Sequence, residues 1–129
     1  MIFVDTNVFV YAVGKPHPLR EEAQEFFISS KKSRKKLVTS AEVLQELIHI
    51  YLPVNRISTL DSALKLARGV SDEILPIEEQ TVIHARQLLE SFPWLSPRDL
   101  LHLAVCQIYG IKYIKTYDRA LESASKKAL

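Results

Sequence analysis

The chain has 129 residues, 47% hydrophobic and 25% charged, which suits one folded domain over 1–129 with an ordinary core and excludes disordered and disulfide-built classes. Seventeen Lys and Arg against fifteen Asp and Glu leave a net charge of +2, too small to mark a nucleic-acid binder by total charge, so any basic surface has to be local. The lone cysteine, Cys106, fits a reducing compartment, with the cytoplasm expected, and neither a leader-like segment nor an apolar run near the ~20 residues of a membrane span is seen.

Residues 2–5 read as a short buried strand, apolar until Asp5. Residues 6–13 have room for two helical turns before Gly14 and the prolines at 16 and 18. Residues 18–32 form an amphipathic helix, with Leu19, Ala23, Phe26 and Phe27 at helical spacing. A strand over 36–39 leads into a helix over 40–52, opened by a Thr39/Glu42 capping box and ended by Pro53. A helix over 56–69, a strand over 73–77 and a helix over 78–92 follow, and "SFPWLSP" interrupts the pattern with two prolines. Ser96 and Pro97 suit the N-cap and first turn of an apolar helix over 97–109, which Gly110 closes. Residues 111–116 are the fourth strand, and Asp118 starts a polar helix ending in Lys126 and Lys127. Strands alternating with helices predict an α/β domain with a mainly parallel sheet, whose ligands gather beyond the carboxyl ends of the strands.

Four acids fall near that edge: Asp5, Glu46, Asp99 and Asp118. Each aspartate has a plain alternative. Asp5 and Asp118 stand where helix caps stand, and Asp99 lies three residues after Ser96 in a first turn favoured by the helix dipole. Glu46 is two turns into its helix, at the border of the stripe formed by Val43, Leu47 and Ile50, where a carboxylate is half desolvated; its alternative is an ion-paired or snorkelling side chain. Together, facing carboxylates would repel unless cations stood between them. With no His or Cys expected beside them, hard oxygen donors favour Mg²⁺ or Mn²⁺ over zinc, a set used for phosphodiester hydrolysis.

"FVDTNVFVYA" with Asp5, "TSAEVLQELIHIY" with Glu46, "LSPRDLLHLAVCQIYGI" with Asp99 and "YIKTYDRAL" with Asp118 resemble the PIN domain, most closely the VapC-type toxin ribonucleases. The resemblance implies a three-layer α/β/α Rossmann-like fold with a central sheet of four to five strands. It also implies RNA cleavage at a Mg²⁺ or Mn²⁺ site held by Asp5, Glu46, Asp99 and Asp118. By position, Thr6, Asn7 and Thr116 would orient those carboxylates through hydrogen bonds. A small antitoxin and a homodimer are further implications. The competing readings are a housekeeping RNA-processing nuclease, a non-catalytic PIN-like RNA-binding or assembly module, and a Mg²⁺-using receiver domain.

The remaining features are less specific. Lys31, Lys32, Arg34, Lys35 and Lys36 could contact an RNA backbone or simply form a solvated helix end. Cys106 reads as a small core residue, His102 as a satisfied half-buried side chain, and Trp94 as a loop anchor. Tyr11, Phe26, Phe27, Tyr51 and Phe92 are expected in the core or an interface.

Overall fold

A computed structural model describes residues 1–129. In chain order the elements are β1 (Ile2–Val4), α1 (Thr6–Val13), α2 (Pro18–Lys32), β2 (Leu37–Ser40), α3 (Ala41–Tyr51), α4 (Ile57–Val70), β3 (Glu73–Leu75), α5 (Glu79–Leu88), α6 (Pro97–Ile108), β4 (Tyr113–Lys115) and α7 (Arg119–Ala128), with a 3-10 turn at Leu52–Val54 between α3 and α4. The sheet order is β3-β2-β1-β4, and every pairing is parallel, with Phe3 opposite Val38 on one side and Ile114 on the other. Parallel strands need crossovers, and here each crossover carries helix.

β1 and β2 are buried along most of their length and run directly into the helix caps at Asp5 and Ser40. Phe3 and Val4 are fully buried at the centre of a cluster that joins β1, β2 and β3 to α1, α2, α3 and α4. A smaller cluster built from α5, α6, α7 and the loop carrying Phe92 and Leu95 completes the packing. The observed architecture is the expected parallel sheet flanked by helices, with four strands; after Asp118 the chain forms α7 rather than a further strand.

Two local readings are corrected. Thr39 does not cap α3: its hydroxyl donates to the Val4 carbonyl across the sheet at 3.0 Å, and Ser40 takes the cap by accepting from Val43 N. The helix expected to reach Phe92 ends at Leu88, and the turn that follows lets Phe92 turn inward while Trp94 stays largely outside, edge-on to it. Gly110 has φ +68° at the end of α6. This left-handed residue lets Ile111 N return to the Cys106 carbonyl at 2.8 Å and aims the chain into β4.

Candidate active site

Asp5 leaves β1 at the carboxyl edge and its carboxylate is held from two sides. Oδ1 accepts from Thr6 N at 2.7 Å, so it caps α1, and Oδ2 accepts from the Thr116 hydroxyl at 2.7 Å. Thr116 follows β4, the strand paired to β1, so adjacent strands deliver the acid and its donor together. The same Thr116 oxygen accepts from Asn7 Nδ2 at 3.3 Å and Asp118 N at 3.0 Å, and Asn7 Oδ1 accepts from Tyr117 N. The run Asp5, Thr6, Asn7 is thereby tied to the run Thr116, Tyr117, Asp118.

Glu46 reaches the cluster from α3. Its Oε1 accepts from the Thr6 hydroxyl at 2.7 Å, which is why a glutamate at the border of the apolar stripe is tolerated there. Asp118 caps α7 by accepting from Leu121 N at 3.0 Å. Asp99 does not cap, since Ser96 accepts from Asp99 N at 3.2 Å and performs that task. Its carboxylate is therefore left to face the other acids. Capping thus accounts for one oxygen of Asp5 and of Asp118, and for nothing at Asp99.

The electrostatics follow from this crowding. Burial, with the charges of Asp5 and Asp118, pushes the Asp99 carboxyl up to about 6. Burial likewise raises Asp5, against the opposing pull of His102 and Thr116. Glu46 is held below its ordinary value: its own burial works upward, but His102, the Thr6 hydroxyl and Arg98 together outweigh it.

His102 corrects the sequence reading twice. It is not a half-buried satisfied side chain, and the acids do have a histidine beside them. Its side chain is 1% exposed, neither ring nitrogen has a hydrogen-bond partner, and Nε2 lies 3.4 Å from Asp5 Oδ1 and 3.6 Å from Glu46 Oε1. The missed signal was spacing: Asp99 and His102 stand three apart on one helix and share a face. Arg98 was also missed. Its guanidinium donates to Glu42 at 3.2 Å and to Gln45 at 3.3 Å, clamping the start of α6 to α3. Glu42 is thus an ion-pair partner and not a capping-box residue.

The basic run lies elsewhere. Lys36 precedes β2, at the edge of the sheet opposite Asp5. There Lys31, Arg34, Lys35 and Lys36 line a cavity of about 480 Å³ with Gly69 and Asp72. Lys31 and Lys32 sit in the last turn of α2, where cations suit the helix dipole, and Lys36 pairs with Glu73 at 3.8 Å. Phe27, Tyr51 and Phe92 are buried, Tyr11 and Phe26 partly so, and Cys106 is a core residue.

The donor set suits a divalent cation. One potential ligand atom each from Asp5, Glu46 and His102 lie within 4.8 Å of one another, and the carboxylates of Asp99 and Asp118 stand outside that group. The nearby Asp99 and Asp118 charges add to the negative potential of the cluster, which favours a bound cation. Two variants test the supporting contacts. Thr116→Ala is expected to weaken metal binding about 10- to 100-fold, as loss of an orienting hydrogen bond does, with Thr116→Ser restoring it in a calorimetric titration. Asp118→Ala is expected to lower stability by about 0.5 to 2 kcal/mol in denaturant unfolding, while Asp118→Asn keeps the cap and the stability.

The PIN domain profile matches residues 2–127. Ribonuclease VapC23 of Mycobacterium tuberculosis is 57% identical over 124 residues, covering 96% of this chain and 98% of that protein. Ribonuclease VapC13 of the same species is 42% identical, covering 95% and 94%. The crystal structure of Mycobacterium tuberculosis VapC20, described as a sarcin–ricin-loop-cleaving toxin, superposes with a TM-score of 0.82 at 18% identity over 96% of this chain, a likeness of fold.

Proposed function

This chain belongs to the PIN domain family, and from that premise we propose that it is a VapC-type toxin endoribonuclease that hydrolyses RNA phosphodiester bonds at a Mg²⁺ or Mn²⁺ centre on the carboxyl edge of the sheet. The observation that carries the proposal is the acidic cluster at that edge: ligand atoms of Asp5 and Glu46 lie within 4.8 Å of each other, and Asp99 is raised to about 6 by burial and by the charges of Asp5 and Asp118. Near-full-length similarity to proteins named ribonucleases supports the RNA substrate.

Asp5, Glu46, Asp99 and Asp118 would hold the cation. When bound, it would supply Lewis-acid activation of water and stabilisation of the leaving oxygen. The chain's own part is positioning. Thr116 and the Thr6 amide fix both oxygens of Asp5, the Thr6 hydroxyl fixes Glu46, and Asn7 braces Thr116 and Tyr117. That framework is built before substrate arrives, which is where such sites gain rate. With the Asp99 carboxyl raised to about 6, protons compete with a cation for it, so metal affinity is expected to weaken as pH falls below about 6.

The reading treats 1–129 as one unit. A small antitoxin and a second copy are the proposed protein partners. Leu52, Val54 and Ile57 leave an exposed apolar surface at the α3–α4 turn that supports such contacts. No helix is long and apolar enough to cross a membrane; action in the cytoplasm is part of the proposal. The basic run at the opposite edge does not face the acids, so any RNA contact there would be to a distant stretch of backbone.

The test is incubation of labelled RNA with the purified chain in Mg²⁺, in Mn²⁺ and in EDTA. Cleavage that needs metal supports the reading. Absence of cleavage beside intact metal binding would favour the non-catalytic RNA-binding or assembly module.

A further inference from the structure

The mechanism leaves His102 unused, although it is the most deeply buried ionisable group in the cluster. Its two contacts repeat a pattern already present. Thr6 joins the same two oxygens, Asp5 Oδ1 through its amide and Glu46 Oε1 through its hydroxyl, each at 2.7 Å. His102 Nε2 faces those two atoms from 3.4 Å and 3.6 Å, just beyond hydrogen-bond length. Both oxygens already receive a donor, whereas the second oxygen of Glu46 receives none from the protein. The imidazole is on the buried side of the pair, 1% exposed and packed against Phe3 with ring centroids 5.4 Å apart, while the Glu46 side chain is 22% exposed.

We propose that His102 is a positioning residue that works with Thr6 as a second bridge, holding Asp5 and Glu46 at the spacing a divalent cation requires. A buried imidazole with neither nitrogen partnered is costly unless it serves some such purpose. A bridge of this kind acts on metal affinity through the carboxylates and touches neither cation nor substrate. The proposal rests on the metal-centre part of the functional reading and not on the identity of the substrate.

The experiment is Mn²⁺ binding, followed by the loss of the free-ion electron paramagnetic resonance signal, to the wild-type chain and to His102→Gln, His102→Asn and His102→Phe. Gln retains a donor of similar reach, Asn is too short, and Phe keeps the packing against Phe3 while removing the donor. The expected result is a dissociation constant raised about tenfold or more in the Phe and Asn variants and within about threefold of wild type in the Gln variant. Wild-type affinity in the Phe variant overturns the proposal, as does equal weakening by Gln and Asn. If the Phe variant does not fold, the Gln and Asn pair decides alone: a difference in the expected order supports the bridge, and equal affinities overturn it. A wild-type chain that binds Mn²⁺ without cleaving RNA overturns the ribonuclease reading and leaves this one standing. A wild-type chain that binds no Mn²⁺ overturns this one.

Discussion

The Asp5→Asn chain is expected to lose metal-dependent RNA cleavage by on the order of 100-fold or more while keeping its fold. The asparagine oxygen can still accept from Thr6 N and cap α1; its amide faces a Thr116 oxygen that already accepts from Asn7 and Asp118, so that one hydrogen bond is lost and its cost is set against the relief of a buried charge. The charge removed lies between two strands, where burial already disfavours the ionised form. The metal-free variant should therefore melt at the same temperature as the wild type or above it. Saturating Mn²⁺ should raise the wild-type midpoint and leave the variant nearly unchanged, since only a ligand bound by the folded state stabilises it. Gel-based cleavage and paired melting curves check both parts, and full activity in the variant would remove Asp5 from the site.

The second large effect is at Asp99. Its carboxyl is raised from the ordinary 3.8 to about 6 in the folded chain, so the folded state binds more protons than the unfolded one between those values. Stability of the metal-free protein should then fall as pH rises from about 4 to about 6, with the full penalty present above it; because Asp99 is partly solvent-accessible and screened, the loss is on the order of 1 kcal/mol. Asp99→Asn should remove this part of the pH dependence and be the more stable chain at neutral pH without metal. The sign is diagnostic. An aspartate stabilised in a first turn by the helix dipole would lose stability when neutralised to Asn, and the cap itself is Ser96. Denaturant unfolding of both chains at pH 4.5 and pH 7.5 in EDTA measures it, and a variant less stable than wild type at pH 7.5 would contradict the account.

The sheet and its order of helices were legible because apolar runs bounded by Asp5, Gly14, Pro53, Ser96 and Gly110 have few other ways to fold. Element ends were less legible, since a cap is decided by tertiary contacts: Thr39 could have capped α3, and only the Val4 carbonyl across the sheet diverts it. Asp5 and Asp118 were legible as neighbours because strands of one parallel sheet share a carboxyl edge, whereas Glu46 and Asp99 approach that edge from α3 and α6. His102 and Arg98 were not legible. A lone histidine in an apolar helix carries no sign of which strand its ring meets, and the partner of Arg98 is 56 residues away on α3. The basic run was conspicuous in sequence, and its place before β2 separates it from the acids.

The most direct measurement is anomalous diffraction at the manganese edge from crystals of this chain grown with Mn²⁺. The account predicts a peak bounded by the carboxylates of Asp5, Glu46, Asp99 and Asp118, with His102 behind Asp5 and Glu46 and off the ion. No peak at that edge at a saturating concentration, or manganese bound only elsewhere, would contradict it.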